Sequence, residues 1–159
     1  LNITSLTINS KSAKFSREKD KLLITLPKTL EKMSTFRVQM EYHGVPSKAT
    51  NSVSPGWART KEGVRALSEP NGAKNWFPCN NHPRDKARYS FHITVPKDYD
   101  VVANGMPQES TSHVDMQSYH FSTREPMASY LTMIAIGHYD SELRKTESGI
   151  PIYNYYYKG

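Results

Sequence analysis

The sequence predicts an all-β domain, a sandwich or saddle of mostly antiparallel strands joined by long loops. Three observations carry this. Apolar and polar residues alternate with a period of two over several short segments, as half-buried strands require. About eight to ten such segments recur at roughly 8–12-residue intervals, with Gly, Pro, Asn and Asp between them. No segment repeats its apolar side chains at the spacing of an amphipathic helix. With 159 residues, a single domain spanning 1–159 is the default, and a chain of this length can bury a real core. Apolar residues make up 36% and include ten Tyr, five Phe and two Trp, which is bulky core material rather than the composition of a disordered coil.

The elements follow in order. Leu1, Ile3, Leu6 and Ile8 give a broken alternation, as in a strand with an irregularity. Lys11 to Lys21 is polar and charged, with turn character around Asp20. Leu22, Ile24 and Leu26 alternate with Leu23, Thr25 and Pro27, and the proline ends that strand. Phe36, Val38, Met40 and Tyr42 form one face of the next, against Arg37, Gln39 and Glu41. Gly44 to Gly63 reads as a long surface loop whose one large apolar residue is Trp57. A short strand over Val64 to Leu67 leads into Glu69.

The stretch from Glu69 to Ala87 is too irregular for a helix or a strand. Pro70, Pro78 and Pro83 each remove a backbone donor, and Gly72 invites a positive φ. Yet it holds Trp76, Phe77 and the one cysteine, Cys79, which are residues that favour burial. It is a proline-braced loop with a carboxylate at its entrance. After it, Ala87, Tyr89, Phe91, Ile93 and Val95 alternate with polar residues until Pro96 stops the strand. Val101 to Ala103 runs into Asn104-Gly105, a dipeptide suited to a tight turn. Val114 to Ser122 alternates again. Tyr130 to Ile136 is apolar on both faces, as a central strand is, and Ile150 to Tyr157 closes the chain with a Tyr-rich strand.

Several function classes are disfavoured by the same residues. The formal charge is +6, but the basic residues are scattered and never form a run of four, so no nucleic-acid footprint is present. No apolar run approaches the roughly 20 residues of a membrane-spanning helix. One cysteine excludes an internal disulfide framework, and beside no evident base it reads as a small buried hydrophobe rather than a nucleophile. The histidines, at 43, 82, 92, 113, 120 and 138, lack the spacing of an H-E-x-x-H metal helix. No catalytic residue and no metal ligand is assigned to this chain. It starts in a strand pattern without an initiator Met or a signal peptide, so it is expected to be a piece of a longer protein.

Glu69 through Cys79, followed by His82-Pro83 and Asp85-Lys86-Ala87, resembles the amino-terminal domain of the aminopeptidase N family of zinc metallopeptidases, relatives of the leukotriene-hydrolysing epoxide hydrolase. Val101-Val102-Ala103-Asn104-Gly105, Met127 to Gly137 and Ser148 to Ile152 resemble the family's later strands and turns. The resemblance implies a non-catalytic β-domain that covers one side of an active site. The following domain of the same chain would supply the zinc, the H-E-x-x-H motif and the G-x-M-E-N loop, none of which stands in these residues. It further implies that the partners are that domain and the amino terminus of a peptide substrate, and that Glu69 grips the free α-amine. Two departures bear on specificity. Asn80-Asn81-His82 stands where relatives often carry an acid before the second proline, and Leu67-Ser68 lacks a Gln common before the Glu69 position. The residues alone also leave open a stand-alone β-sandwich interaction or adhesion module, with the 44–63 loop and the Tyr-rich terminus as its surface.

Overall fold

The computed structural model describes residues 1–26, 28–46 and 56–158. The chain forms two compact units, residues 1–47 and 48–159. Among the described residues the only helical turns are two of 3-10 type, and every strand pairing is antiparallel. The all-β architecture is the one the alternation predicts.

In the first unit, β1 (Asn2–Ile8) is the middle strand of three, between β2 (Lys11–Ser12) and β5 (Val38–His43), while β3 (Phe15–Glu18) and β4 (Lys21–Ile24) form a hairpin. The irregularity expected in β1 is a register shift between Ile3 and Ser5. Leu6 and Ile8, opposite Met40 and Val38, are its buried side chains. The polar segment 11–21 contains β2 and β3, and the turn expected around Asp20 joins β3 to β4. All four residues of β3 are exposed, so no alternation betrays the strand in the sequence. Pro27, expected to end β4, lies outside the described residues.

The second unit holds β6 (Ala58–Arg59), β7 (Gly63–Leu67), a 3-10 turn at Ala73–Asn75, β8 (Lys86–Ala87), β9 (Ser90–Pro96), β10 (Asp100–Ala103), β11 (Met106–Pro107), β12 (Thr111–Ser112) and β13 (Met116–Ser122). β14 (Met127–Ala128), a 3-10 turn at Ser129–Leu131, β15 (Met133–Gly137), β16 (Tyr139–Lys145) and β17 (Pro151–Tyr157) complete it. One sheet has the order β10-β15-β7-β6. The other centres on β13, with β9 paired along its length and β11 and β12 pairing with it as well. Val95 and Phe121 of the second sheet meet Ala66, Val101, Ala103 and Ile134 of the first in one buried cluster. That is a sandwich core.

β15 is central, as its apolar composition predicts, although the 3-10 turn occupies the beginning of the expected segment. The strand expected from Ala87 to Val95 is two strands. β8 pairs with β14 and β9 with β13, and the change of partner falls at Tyr89, whose N–H donates to Thr123 Oγ1 at 2.9 Å. Asn104-Gly105 makes the expected turn, with Gly105 at φ +101 and no room for a Cβ, which would stand 2.3 Å from the Ser122 carbonyl oxygen. β16 has no counterpart in the sequence reading. Six of its seven residues are exposed, so it lacks a buried face to reveal it. Of the long 44–63 loop, residues 47–55 lie outside the described ones; β6 occupies part of the remainder, and Trp57 packs against the core.

Candidate functional site

The candidate site begins where β7 ends. Ala66 is buried, Leu67 exposed, Ser68 buried and Glu69 exposed, so the period of two continues past the strand and turns Glu69 outward. The chain then folds back on itself. The Gly72 N–H donates to the Ser68 carbonyl oxygen at 2.6 Å, and the 3-10 turn at Ala73–Asn75 follows directly, with Ala73 fully buried. The Glu69–Pro70 peptide bond is cis. Gly56, at φ +77, passes so close that a Cβ there would stand 2.2 Å from the Gly72 carbonyl oxygen. A glycine is needed at that crossing.

Aromatic side chains hold the loop from below. Trp76 lies 6.0 Å from Trp57 and 4.5 Å from Phe77 between ring centroids, and Phe77 meets Tyr89 edge-on at 6.4 Å. Trp76 and Trp57 both pack on the sandwich core, so the expected aromatic anchor is real. Geometry of this kind contributes about 0.5–1.5 kcal/mol per pair beyond burial.

Polar groups tie the loop to a second segment far along the chain. Trp76 Nε1 donates to Ser68 Oγ at 2.9 Å, and Thr132 Oγ1 lies 3.3 Å from that same oxygen. Thr132 Oγ1 also donates to the Ser129 carbonyl oxygen at 2.6 Å. Ser129 Oγ lies 3.4 Å from Asn81 Oδ1, and Asn81 Nδ2 donates to the Asn71 carbonyl oxygen at 3.0 Å. Ser68, Ser129 and Thr132 are all nearly inaccessible, so the bonds of Thr132 to Ser68 and Ser129 form away from competing water, whereas that of Asn81 to Asn71 is exposed. Thr132→Val, which keeps the shape and removes the hydroxyl, is expected to cost about 1–3 kcal/mol by leaving buried partners unsatisfied. Urea unfolding of the variant checks it.

The result is a pocket of about 260 Å³ lined by Glu69 and Pro70 from one side and Asn81, His82, Ser129 and Tyr130 from the other. No hydrogen bond or ion pair among the described residues engages the Glu69 carboxylate, which leaves both oxygens for a ligand. His82 Nδ1 accepts the Arg84 N–H at 3.2 Å, which fixes the ring at the rim. The sequence reading placed Glu69, the prolines and the aromatic anchors, but not Ser129, Tyr130 and Thr132. A signal was present there: hydroxyl residues three apart at the start of an otherwise apolar run. At Asn81, the amide both donates and accepts. A carboxylate at that position could not donate to the Asn71 carbonyl.

Burial pushes the Cys79 thiol up, partly offset by a hydrogen bond from Ser129. Less of it is thiolate at neutral pH, so alkylation by iodoacetamide at pH 7.5 is expected to be several-fold slower than for free cysteine. A rate equal to that of the free amino acid would contradict this environment. Among the described residues, no three of His, Cys, Asp and Glu come together as a metal site. None of the described helical turns is long and apolar enough to cross a membrane.

The fold has counterparts among known proteins. The Peptidase M1 N-terminal domain family matches residues 1–131. The chain belongs to that family. This M1 N-terminal domain is 32% identical over 129 residues to glutamyl aminopeptidase of Mus musculus, an alignment covering 75% of the chain and 13% of that protein. An M1 zinc metallopeptidase from Deinococcus radiodurans shares its fold, with a TM-score of 0.88 at 24% identity over 99% of this chain and 38% of that one. A mutant of the Deinococcus radiodurans M1 zinc metallopeptidase bound to a Tyr-Ser-Ala substrate gives a TM-score of 0.88 at 25% identity, again over 99% of this chain and 38% of the other. The M1 N-terminal domain thus spans a minor part of the proteins it matches.

Proposed function

We propose that this M1 N-terminal domain is the non-catalytic, substrate-facing part of a zinc aminopeptidase, and that Glu69 anchors the α-amine of the peptide being cleaved. The observation that carries the reading is the Glu69 carboxylate, unpaired among the described residues, in a pocket whose loop is braced by hydrogen bonds and aromatic contacts. An α-ammonium has a pKa near 7.7–8.0 and is mostly charged at neutral pH. A fixed carboxylate facing it forms a charge-assisted hydrogen bond, stronger where water is excluded. Such a grip on the chain end restricts cleavage to the first peptide bond, because the reacting carbonyl must lie one residue from the anchor.

The proposed division of labour rests on the family to which the chain belongs. A zinc ion, held by a following domain as the family resemblance implies, would supply polarisation of the scissile carbonyl and an activated water. This chain binds, orients and shields. The pocket's remaining residues, Tyr130 and His82 among them, would form part of the wall around the first side chain. The protein encoded by the whole gene is expected to release amino-terminal residues from free-amine peptides, to lose that activity on chelation and to leave N-acetylated peptides intact. The 159-residue chain alone should be inert on aminoacyl anilides. Turnover by the chain alone would overturn the assignment of roles.

A further inference from the structure

A second cavity, of about 210 Å³, lies beside the β16–β17 hairpin and shares no residue with the Glu69 pocket. Tyr119 of β13, Tyr139 of β16 and Tyr155 of β17 form its aromatic walls, and Asp100, at the start of β10, supplies a carboxylate. Tyr139 and Tyr155 stand nearly at right angles, with planes 78° apart and centroids 6.3 Å apart, like two adjoining sides of a box. Tyr119 is a third side. Its hydroxyl is already committed to the Tyr99 carbonyl oxygen at 3.1 Å and to Asp100 Oδ1 at 3.4 Å, so what it offers a ligand is its ring.

The charge of the lining points to the class of ligand. The chain is basic, with a formal charge of +6, yet among the described residues no Lys or Arg lines this cavity, and its one imidazole is that of His120. The Asp100 carboxylate is held in place, its Oδ2 accepting the Tyr139 N–H at 3.0 Å. The exposed Lys158 ammonium sits at the limit of ion-pairing range, 4.0 Å from the same oxygen. An exposed pair of this kind is worth little and is easily displaced. Aromatic faces are negative, so three rings and a carboxylate favour a cation over an anion or a neutral group. The volume is below the roughly 300–1,000 Å³ of sites that enclose a whole small molecule. It suits one head group.

We propose that this cavity binds the head of an alkylammonium cation between Tyr119, Tyr139 and Tyr155, with Asp100 balancing the charge. The test is titration of the isotopically labelled 159-residue chain, followed by amide chemical shifts, with three probes: choline, n-butylammonium, and dimethylbutanol as choline's uncharged analogue. Both cations are expected to shift residues 100, 110, 119 and 155 saturably, and the neutral analogue to bind at least about tenfold more weakly. Tighter binding of choline identifies a free quaternary ammonium as the ligand class. Tighter binding of n-butylammonium identifies a lysine side chain of a peptide.

Tyr155→Leu and Asp100→Asn should each weaken the cations by about fivefold or more, whereas Tyr155→Phe, which keeps the ring, should bind as the parent does. Asparagine retains an acceptor for the Tyr139 amide, so the carboxylate variant tests charge without dismantling the wall. Equal affinity for dimethylbutanol, no saturable shift with either cation, or unchanged binding in both Tyr155→Leu and Asp100→Asn would each overturn the proposal.

Discussion

Replacing Glu69 with alanine in the whole enzyme is expected to lower kcat/KM on free-amine peptides by about 10- to 150-fold. The figure comes from the contact being removed. A hydrogen bond to a charged group is worth about 1.5–3 kcal/mol, and each 1.36 kcal/mol is tenfold in rate. The pocket supports the upper part of that range, because the carboxylate has no competing partner among the described residues and the loop that carries it is braced by Trp76, Ser68 and Asn81. Glu69→Gln should lie between, since the amide keeps an acceptor oxygen but not the charge. The loss should also narrow above pH 8, where the substrate amine is largely neutral and charge assistance no longer separates the parent from the variant. Initial rates across pH 6.5–9 on one peptide series check all three statements. An unchanged kcat/KM in Glu69→Ala would remove the anchor role and leave the family membership standing.

The legible parts of this chain were those with one buried face. Val38 and Met40 of β5 and Phe91, Ile93 and Val95 of β9 are the less exposed positions of their strands. β5, β9 and β13 announce themselves by alternation, β17 by its tyrosines and β15 by being apolar throughout. β3 and β16 do not, since their side chains are almost all exposed and only backbone pairing makes them strands. Pairing is a long-range property. The split at Tyr89 is invisible for the same reason: the alternation runs through it unbroken, and only the exchange of partner from β14 to β13 interrupts the ladder.

The site divides in the same way. Glu69, its prolines and its aromatic anchors lie within one short stretch, whose residues resemble a known family, and so they could be read in sequence. The opposite wall is completed by Ser129 and Tyr130, about sixty positions later, which tertiary structure brings in. Ser68 was visible only as a departure from the family's pattern. In the structure it accepts the Trp76 indole N–H and closes the loop against β15's leading turn. A hydroxyl there does work that no spacing rule reveals.

Phe121→Ala is expected to cost the second unit about 3–5 kcal/mol, the range for removing a buried phenylalanine. Typical domains have a total stability of only about 5–15 kcal/mol, so the urea midpoint should fall by a large fraction. The side chain is 4% exposed and sits in the buried cluster that joins the two sheets, among Val95, Val101, Ala103 and Ile134. The effect should reach the candidate site as well as the fold. Ala66, two residues before Ser68, belongs to the same cluster, and Trp76 packs against it. Loosening the core therefore loosens the indole that holds Ser68, and with it the loop that presents Glu69. In the folded Phe121→Ala variant, amide shifts at 68, 72 and 76 should move although all three lie far from Phe121 in sequence. A midpoint shift worth less than 1 kcal/mol would show that the sheets are held by something other than this cluster. The rigidity of the Glu69 pocket would then need a source outside the sandwich.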